Sequence, residues 1–283
     1  MTRSRYRPPG LPAIRNLLLQ EPEANAFLLG DITAHGLSRP PFQEASVETD
    51  ASGKPMAVLL RHFGVVLYYE APGSEPDRAR LGRSVADWVR SGKATRMSAL
   101  NRCLDPLEPW LPPLHRSQRL HLASCRPDTA VAPGWLATVG QRAADDGLRI
   151  LGTGPEDQDL VERIVRAQRQ IPEFTVSDEA VQVIMEGLRS GQGFNLIAMR
   201  EEEIIARAAW GAANEASAMI VGVFTLPRWR GRGLASLLVA DLVRRLHLRG
   251  LIAALFYDNP AAGSIYKRLG FVDMDRYRMV HFA

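Results

Sequence analysis

Two glycines stand among three arginines where one apolar segment gives way to a leucine-rich one, in VFTLPRWRGRGLASLL, residues 223–238. The β-branched start of this segment predicts a strand, and the leucines after Gly233 predict a helix. The start of a helix offers unpaired backbone N–H groups and the positive end of the helix dipole. Glycine lets a ligand approach the backbone closely. The segment therefore predicts an anion-binding turn.

Neither of the two common nucleotide-binding loops accounts for this turn. A P-loop requires G-x-x-x-x-G-K-[ST], and the sequence contains no such string. The letters GRGLAS approach a dinucleotide-binding pattern, but only about 50 residues follow Gly231, which is too few for the further strands of that fold. A different kind of phosphate site is needed to explain the glycines.

The turn resembles the pyrophosphate loop of the GNAT N-acetyltransferase superfamily, with Arg230, Gly233 and Ala235 in an R-x-x-G-x-A pattern. A second segment, DNPAAGSIYKRLGF at 258–271, resembles the same superfamily's Asn-x-x-Ala…Tyr…Gly-Phe pattern. One predicted helix and one predicted strand separate the two motifs, as the superfamily requires. The resemblance covers roughly residues 148–283, and the chain is most similar to two-domain bacterial members whose N-terminal copy is degenerate.

The resemblance implies that acetyl-CoA is bound between two strands that splay apart, SAMIVGVFT (217–225) and LIAALFYD (251–258). Gly222 then marks a bulge in the first of them. The resemblance implies two groups of backbone contacts. The end of the strand at 217–225 binds the pantetheine arm, and the glycine-arginine turn after it binds the pyrophosphate. The implied cofactor-binding residues are Val223, Phe224, Thr225, Arg230, Gly231, Arg232, Gly233, Leu234, Ala235, Ser236, Asn259, Ala262 and Tyr266.

Acetyl transfer to an amine also requires proton transfer, and two residues are candidates for it. Tyr266 matches the tyrosine that protonates the leaving thiolate in many family members; the alternative is an aromatic side chain that only packs. Glu173, in QIPEFT, lies between two predicted helices where the family often forms its acceptor site. Partial burial would raise the pKa of this carboxyl group and suit it to act as a base; the alternative is an exposed glutamate in a turn.

The pattern of elements predicts an α/β fold of the mixed α+β kind. From residue 148 the order is a strand, two helices, a hairpin, a buried strand, a helix, a strand, a helix and closing strands. Residues before 130 repeat that order from the hairpin onward. We therefore expect tandem GNAT-like domains, each a mixed, mostly antiparallel twisted sheet flanked by helices. The predicted boundaries are a degenerate N-terminal domain at 1–130, a linker at 131–147 and a catalytic domain at 148–283.

Composition limits the partners. The net charge of +4 over 283 residues suits a phosphorylated ligand and is too small to indicate nucleic acid. No apolar run reaches the ~20 residues that span a bilayer. Cys103 and Cys125 show no metal-binding spacing, so no metal, no disulfide framework and a cytoplasmic location are expected. The expected protein is a monomer or homodimer.

The function predicted from these observations is acetyl-CoA-dependent N-acetylation, by direct attack of a primary amine in a ternary complex. The acceptor, a small-molecule amine or a peptide, cannot be read from the sequence. The alternative is a protein that binds acetyl-CoA without catalysis and acts as a regulator or scaffold. In the N-terminal copy the corresponding turn, APGSEPDRAR, has acids in place of the glycine-arginine pattern, which predicts a single acetyl-CoA site in each chain.

Overall fold

The computed structural model describes residues 10–129, 134–174 and 176–283, and the secondary structure follows the chain in two similar series. The first series begins with two short helices and continues through a hairpin to alternating strands and helices. Its elements are α1 (Leu11–Leu18), α2 (Ala26–His35), β1 (Ser38–Arg39), β2 (Gln43–Thr49), β3 (Pro55–His62), β4 (Val65–Glu70), α3 (Arg78–Arg90), β5 (Arg96–Leu100), α4 (Asn101–Leu107) and β6 (Leu114–Cys125).

The second series repeats this plan. It comprises α5 (Trp135–Asp145), β7 (Arg149–Thr153), α6 (Gln158–Arg169), α7 (Ala180–Arg189), β8 (Phe194–Arg200), β9 (Glu203–Gly211), β10 (Ser217–Thr225), α8 (Leu234–His247), β11 (Ile252–Tyr257), α9 (Pro260–Arg268) and β12 (Val272–Phe282). Within the described residues, no helix combines the length and the apolar character needed to cross a membrane.

The chain forms two compact units. Of the described residues, one unit contains those up to 122 together with 274–283, and the other contains those from 123 to 273. In the first unit the strands follow the order β1-β2-β3-β4-β5-β12-β6, and in the second β11-β10-β9-β8-β7. Each unit contains a parallel pair of strands, β4 with β5 in the first and β10 with β11 in the second, together with antiparallel pairs. The predicted tandem arrangement of mixed, mostly antiparallel sheets flanked by helices is confirmed.

The unit boundaries differ from the predicted domain boundaries in two places. Strand β12, predicted as part of the C-terminal domain, pairs antiparallel with β5 from Tyr277–Leu100 to His281–Arg96. Its end therefore belongs to the first unit. The described part of the predicted linker at 131–147 contains α5, and Val131 to Pro133 of that linker lie outside the described residues. Helix α5 forms because its apolar side chains Leu136 and Ala143 pack on the core of the second unit.

The core of the second unit holds the elements that carry the predicted site. Helix α8 buries a stripe at helical spacing, and strand β9 is buried almost from end to end. The fully enclosed members of the stripe are Leu238, Leu242 and Leu246. Because β9 and β10 pair along most of their length, the loop between β10 and α8 is anchored on both sides by buried elements.

Candidate active site

Helix α8 begins without a side-chain cap. Its N-cap is Gly233 in the left-handed region, with φ +83°, and no side chain accepts a hydrogen bond from the first turn. The first hydrogen bond into the helix runs from the Leu237 N–H to the Gly233 carbonyl at 3.0 Å. The N–H groups of Leu234, Ala235 and Ser236 precede it and remain outside the helical ladder. This helix start can donate backbone hydrogen bonds to an anion.

Glycine is required at position 233 for two reasons. The positive φ is strained for any residue with a Cβ atom. A Cβ atom there would also lie 3.0 and 3.2 Å from the two methyl carbons of Val139 on α5. Gly231 has φ +78° too, but a Cβ atom on Gly231 would meet nothing within 4 Å. The loop is therefore shaped by backbone conformation at both glycines and by close packing at Gly233.

The strand leading into this loop separates from its parallel neighbour. Strand β10 pairs with β11 from Ser217–Ile252 to Ile220–Leu255, and both strands then continue beyond the last pair. At the same point the register between β10 and β9 shifts between Val221 and Phe224. Gly222 lies in that bulge with φ +59°. The predicted splayed pair and the predicted bulge at Gly222 are confirmed.

Each of the three arginines between β10 and α8 is paired with an acid from another segment. Arg230 Nη1 lies 3.1 Å from Glu173 Oε1, Arg232 Nη1 lies 2.9 Å from Asp146 Oδ2, and Arg228 pairs with Glu203. Arg232 also stands over the Trp229 ring, 4.7 Å from its centroid. All three pairs are exposed to solvent, so each contributes little to stability. They do fix where the three guanidinium groups point.

Glu173 differs from the expectation in its ionisation. Its side chain is exposed and not partly buried as predicted. A hydrogen bond from its own backbone N–H and a second one from Arg230 lower the pKa of the carboxyl group. The predicted raised pKa is therefore wrong, because Pro172 and Phe174 do not enclose the side chain. Glu173 is a carboxylate at neutral pH, next to residues 230–236, the glycine loop.

Tyr266 lies on α9 with its ring in the core and 8% of its surface exposed. The rings of Tyr257 and Phe271 flank it, with centroids 5.9 and 5.8 Å away. Burial raises the pKa of the phenol to about 12. Within the described part of the chain, its hydroxyl group makes no hydrogen bond. A phenol in this environment remains protonated at neutral pH, and no other group of the described residues shares its proton.

The remaining predicted contacts on α9 have a local structural role. The side chain of Asn259 caps this helix by accepting a hydrogen bond from the Ala261 N–H at 2.9 Å. Ala262 is half-buried and packs on the core. Over the ranges that the structure describes, no three His, Cys, Asp or Glu side chains are grouped as metal ligands.

Arg207 is a charged residue of this region that the sequence motifs did not identify. Arg207 lies in the middle of β9, only 4% exposed. Its Nε and Nη2 donate to Asn195 Oδ1 at 2.9 and 2.6 Å, and its Nη1 donates to Gln168 Oε1 at 2.8 Å. Burial lowers the pKa of the guanidinium to about 10. The sequence does carry a signal, since this arginine interrupts an otherwise apolar strand, EIIARAAWG.

The equivalent helix start in the first unit is already occupied. Asp77 caps α3, and its carboxylate accepts a hydrogen bond from the Arg80 N–H at 2.9 Å. Arg78, in the first turn of α3, pairs with the buried Glu70 at the end of β4 at 2.9 Å. The N-terminal unit thus satisfies its own helix start with acids, where α8 has only glycine.

The second unit matches a known protein family. The family described as Acetyltransferase (GNAT) family matches residues 161–271. This stretch begins within α6, ends just after α9 and includes both the glycine loop and Tyr266. A search of curated protein sequences found no match.

Solved structures share the fold over nearly the whole chain. A GCN5-related N-acetyltransferase from Kribbella flavida aligns with a TM-score of 0.59 at 17% identity, covering 91% of this chain and 95% of that one. A GCN5-related N-acetyltransferase-like protein from Streptococcus suis aligns with a TM-score of 0.60 at 14% identity, covering 96% and 98%. A tandem GNAT protein from the clavulanic acid biosynthesis pathway aligns with a TM-score of 0.58 at 13% identity, covering 95% and 93%. At these identities the likeness concerns the fold.

Proposed function

Since residues 161–271 make this chain a member of the acetyltransferase (GNAT) family, whose members use acetyl-CoA as acyl donor, we propose that it is an acetyl-CoA-dependent N-acetyltransferase. The acceptor is a primary amine that attacks directly in a ternary complex. One observation carries the proposal: the uncapped start of α8 lies directly after the strand end that parts from β11. The proposed phosphate site at the start of α8 therefore lies only a few residues after the point where β10 and β11 part.

The residues present suit the pyrophosphate of such a donor. The N–H groups of Leu234, Ala235 and Ser236 are the donors, and Gly231 and Gly233 place no side chain in the way. Arg230 and Arg232 add positive charge. The backbone of Val223 to Thr225 serves the pantetheine arm. When bound, acetyl-CoA supplies a thioester-activated acyl group.

Tyr266 and Glu173 move the protons in this proposal. Tyr266, held protonated by burial, donates its phenolic proton to the departing sulfur. Glu173, ionised at neutral pH, attracts the protonated amine and accepts its proton. Because a carboxylate with a lowered pKa is a weak base, the attraction is the larger part of its contribution.

A second function has one observation in its favour. Glu173 is held by Arg230, so the candidate base and the phosphate loop neutralise each other. A protein that binds acetyl-CoA and acts as a regulator or scaffold needs only the loop. In that case turnover would be absent although acetyl-CoA binds at the loop.

We propose the same partners and the same location that the sequence predicts. The acceptor is a small-molecule amine or a peptide, and neither nucleic acid nor a membrane takes part. The protein works in the cytoplasm as a monomer or homodimer.

The decisive experiment combines binding with turnover. Acetyl-CoA binding is measured by calorimetry, and CoA release is then followed with acetyl-CoA and a library of primary amines. Binding together with amine-dependent CoA release would support the enzyme. Binding without release would favour the regulator, and absence of binding would exclude both.

A further inference from the structure

Arg207 presents a buried positive charge that no acid balances among the described residues. Its hydrogen-bond acceptors are the side-chain amide oxygens of Asn195 and Gln168, which are neutral. Asn195 is oriented in turn by Thr153, because its Nδ2 donates to Thr153 Oγ1 at 2.9 Å. Removing a guanidinium from water without an opposite charge costs several kcal/mol. A purely structural bridge between α6 and β8 would not require that cost.

The guanidinium lies directly against the bulge of β10. A Cβ atom placed on Gly222 would collide with Nη1 of Arg207 and would come within 2.9 Å of its Cζ. Gly222 is only half-buried. Because glycine has no side chain, only backbone atoms cover the Arg207 guanidinium at this position. The bulge is also where β10 leaves β11. The buried positive charge therefore lies beside the point where the two strands part, which is where the acyl donor is proposed to bind.

Arg207 also retains hydrogen-bonding capacity. A guanidinium has five N–H donors. Three of them bond to Asn195 and Gln168, and within the described ranges the other two have no acceptor. A carboxylate is the ligand that best matches two guanidinium N–H groups, since it accepts both in parallel.

The surroundings supply the complementary charge for an amine. Phe224 is the register partner of Arg207, and its ring lies 6.3 Å from that of Phe174. Glu173, the residue before Phe174, is a carboxylate. The end of β10 is thus flanked by a buried cation on β9 and by an anion on the segment between α6 and α7. A ligand carrying both an ammonium and a carboxylate group matches this pattern.

We propose that Arg207 binds the carboxylate of the acceptor, and that the acceptor class is an amine with a carboxylate close to the amine nitrogen, as in α-amino acids. This inference rests on the proposed acetyl transfer and names its substrate class. The short spacing follows because Arg207 adjoins Gly222, immediately before the strand end that is to hold the donor. Burial strengthens the pairing, since the local dielectric is low.

The test compares matched pairs of amines. The common α-amino acids and their primary amides, which keep the amine and lose the charge, are offered with acetyl-CoA, and kcat/KM is measured by CoA release. The wild-type protein should prefer at least one amino acid over its amide by about 100-fold or more, as expected when a buried polar group is left unpaired. Arg207→Gln should reduce that preference to about 3-fold or less, chiefly through a higher KM for the acid. Arg207→Lys, which keeps a charge but loses the fork, should fall between.

A matched control is available in the other unit. Arg61 is also 4% exposed and donates to the backbone carbonyls of Pro41, Phe42 and Phe63. Arg61→Gln removes a buried arginine of similar burial and should leave the preference between acid and amide unchanged. Thermal unfolding and acetyl-CoA affinity are measured for every variant. If Arg207→Gln does not fold, the inference is tested by the preference of the wild-type protein for acid over amide and by its reduction in Arg207→Lys.

The outcomes separate the two proposals. Equal loss of activity on acids and amides in Arg207→Gln would make Arg207 a structural residue and overturn the inference. A wild-type protein that prefers amides, or that acetylates no member of either series while binding acetyl-CoA, would overturn it too. Failure of wild-type acetyl-CoA binding would instead contradict the proposed function itself.

Discussion

Glu173 accepts a hydrogen bond from Arg230 over 3.1 Å, although the two residues are 57 positions apart in the chain. One is the candidate base and the other is the first residue of the glycine loop. The contact ties the segment between α6 and α7 to the start of α8. A ligand that draws Arg230 toward phosphate would thereby release the Glu173 carboxylate toward the acceptor.

Glu173→Gln tests the role of this carboxylate. We expect kcat to fall by about 100-fold, because the variant loses the group that attracts the amine and accepts its proton. Acetyl-CoA affinity should change by less than about 5-fold, because an exposed ion pair contributes little. The measurements are steady-state kinetics and calorimetry. Asp178→Asn, which removes another exposed carboxylate paired with an arginine, is the control and should retain activity. Undiminished turnover in Glu173→Gln would leave Glu173 as a counterion of Arg230 only.

Gly233→Asp should abolish acetyl-CoA binding. The substitution places a Cβ atom against Val139 and puts a negative charge where the pyrophosphate is to bind. Calorimetry with the folded variant provides the readout. Gly250→Asp is the matched control, since Gly250 also has positive φ, +73°, with open space around it. That variant should lose about 1–2 kcal/mol of stability and still bind acetyl-CoA. Normal affinity in Gly233→Asp would exclude this loop as the phosphate site.

Tyr266→Phe should lower kcat by about 100-fold while acetyl-CoA affinity stays nearly constant. The variant keeps the packed ring and loses only the proton donor. Tyr257→Phe removes the hydroxyl group of the neighbouring ring, which donates to Asp273 at 2.6 Å, and serves as the control. Its expected effect is a modest loss of stability, of about 1 kcal/mol. A parallel fall of affinity and turnover in Tyr266→Phe would assign this side chain to packing.

The pKa of Tyr266 predicts how the proposed acetyl transfer responds to alkaline pH. Burial raises this pKa to about 12, so the phenol keeps its proton, the catalytically competent form, through pH 10. Loss of kcat due to tyrosinate formation should therefore begin well above the ordinary tyrosine pKa of about 10. The measurement is an ultraviolet titration of wild type against Tyr266→Phe, read as a difference. A difference midpoint near 10 would contradict the burial argument.

Each chain should bind one molecule of acetyl-CoA. In the first unit Asp77 caps α3 and Arg78 is neutralised by Glu70, so the helix start that corresponds to that of α8 is already occupied. Calorimetry should give a stoichiometry of one for the wild type and zero for Gly233→Asp. Asp77→Ala should weaken the first unit by about 1 kcal/mol and leave the stoichiometry at one. A value of two in the wild type would show that the N-terminal unit has kept a site.

Local patterns were enough to predict most of the elements and the loop, although helix α5 lies in the predicted linker. The strand, the glycine turn and helix α8 are contiguous in sequence, and their conformations depend on nearest neighbours: glycine permits positive φ, and leucines at four-residue spacing form one face. The tandem order could be predicted for the same reason, since each unit repeats a series of local signals. Tyr266 and the glycine loop were identified from motifs of this contiguous kind.

Contacts between distant segments were decided by the tertiary structure alone. The pKa of Glu173 is lowered by hydrogen bonds from its own backbone N–H and from Arg230, and no property of QIPEFT predicts Arg230 as a partner. The end of β12 joins the first unit because β5 offers it an open pairing edge, which no periodicity within β12 reveals. Arg207 shows the limit most clearly. The sequence shows Arg207 only as a charge in an apolar strand. Its position against Gly222 depends on the register of β9 with the bulged strand β10. That register joins distant segments and exists only once the sheet has formed.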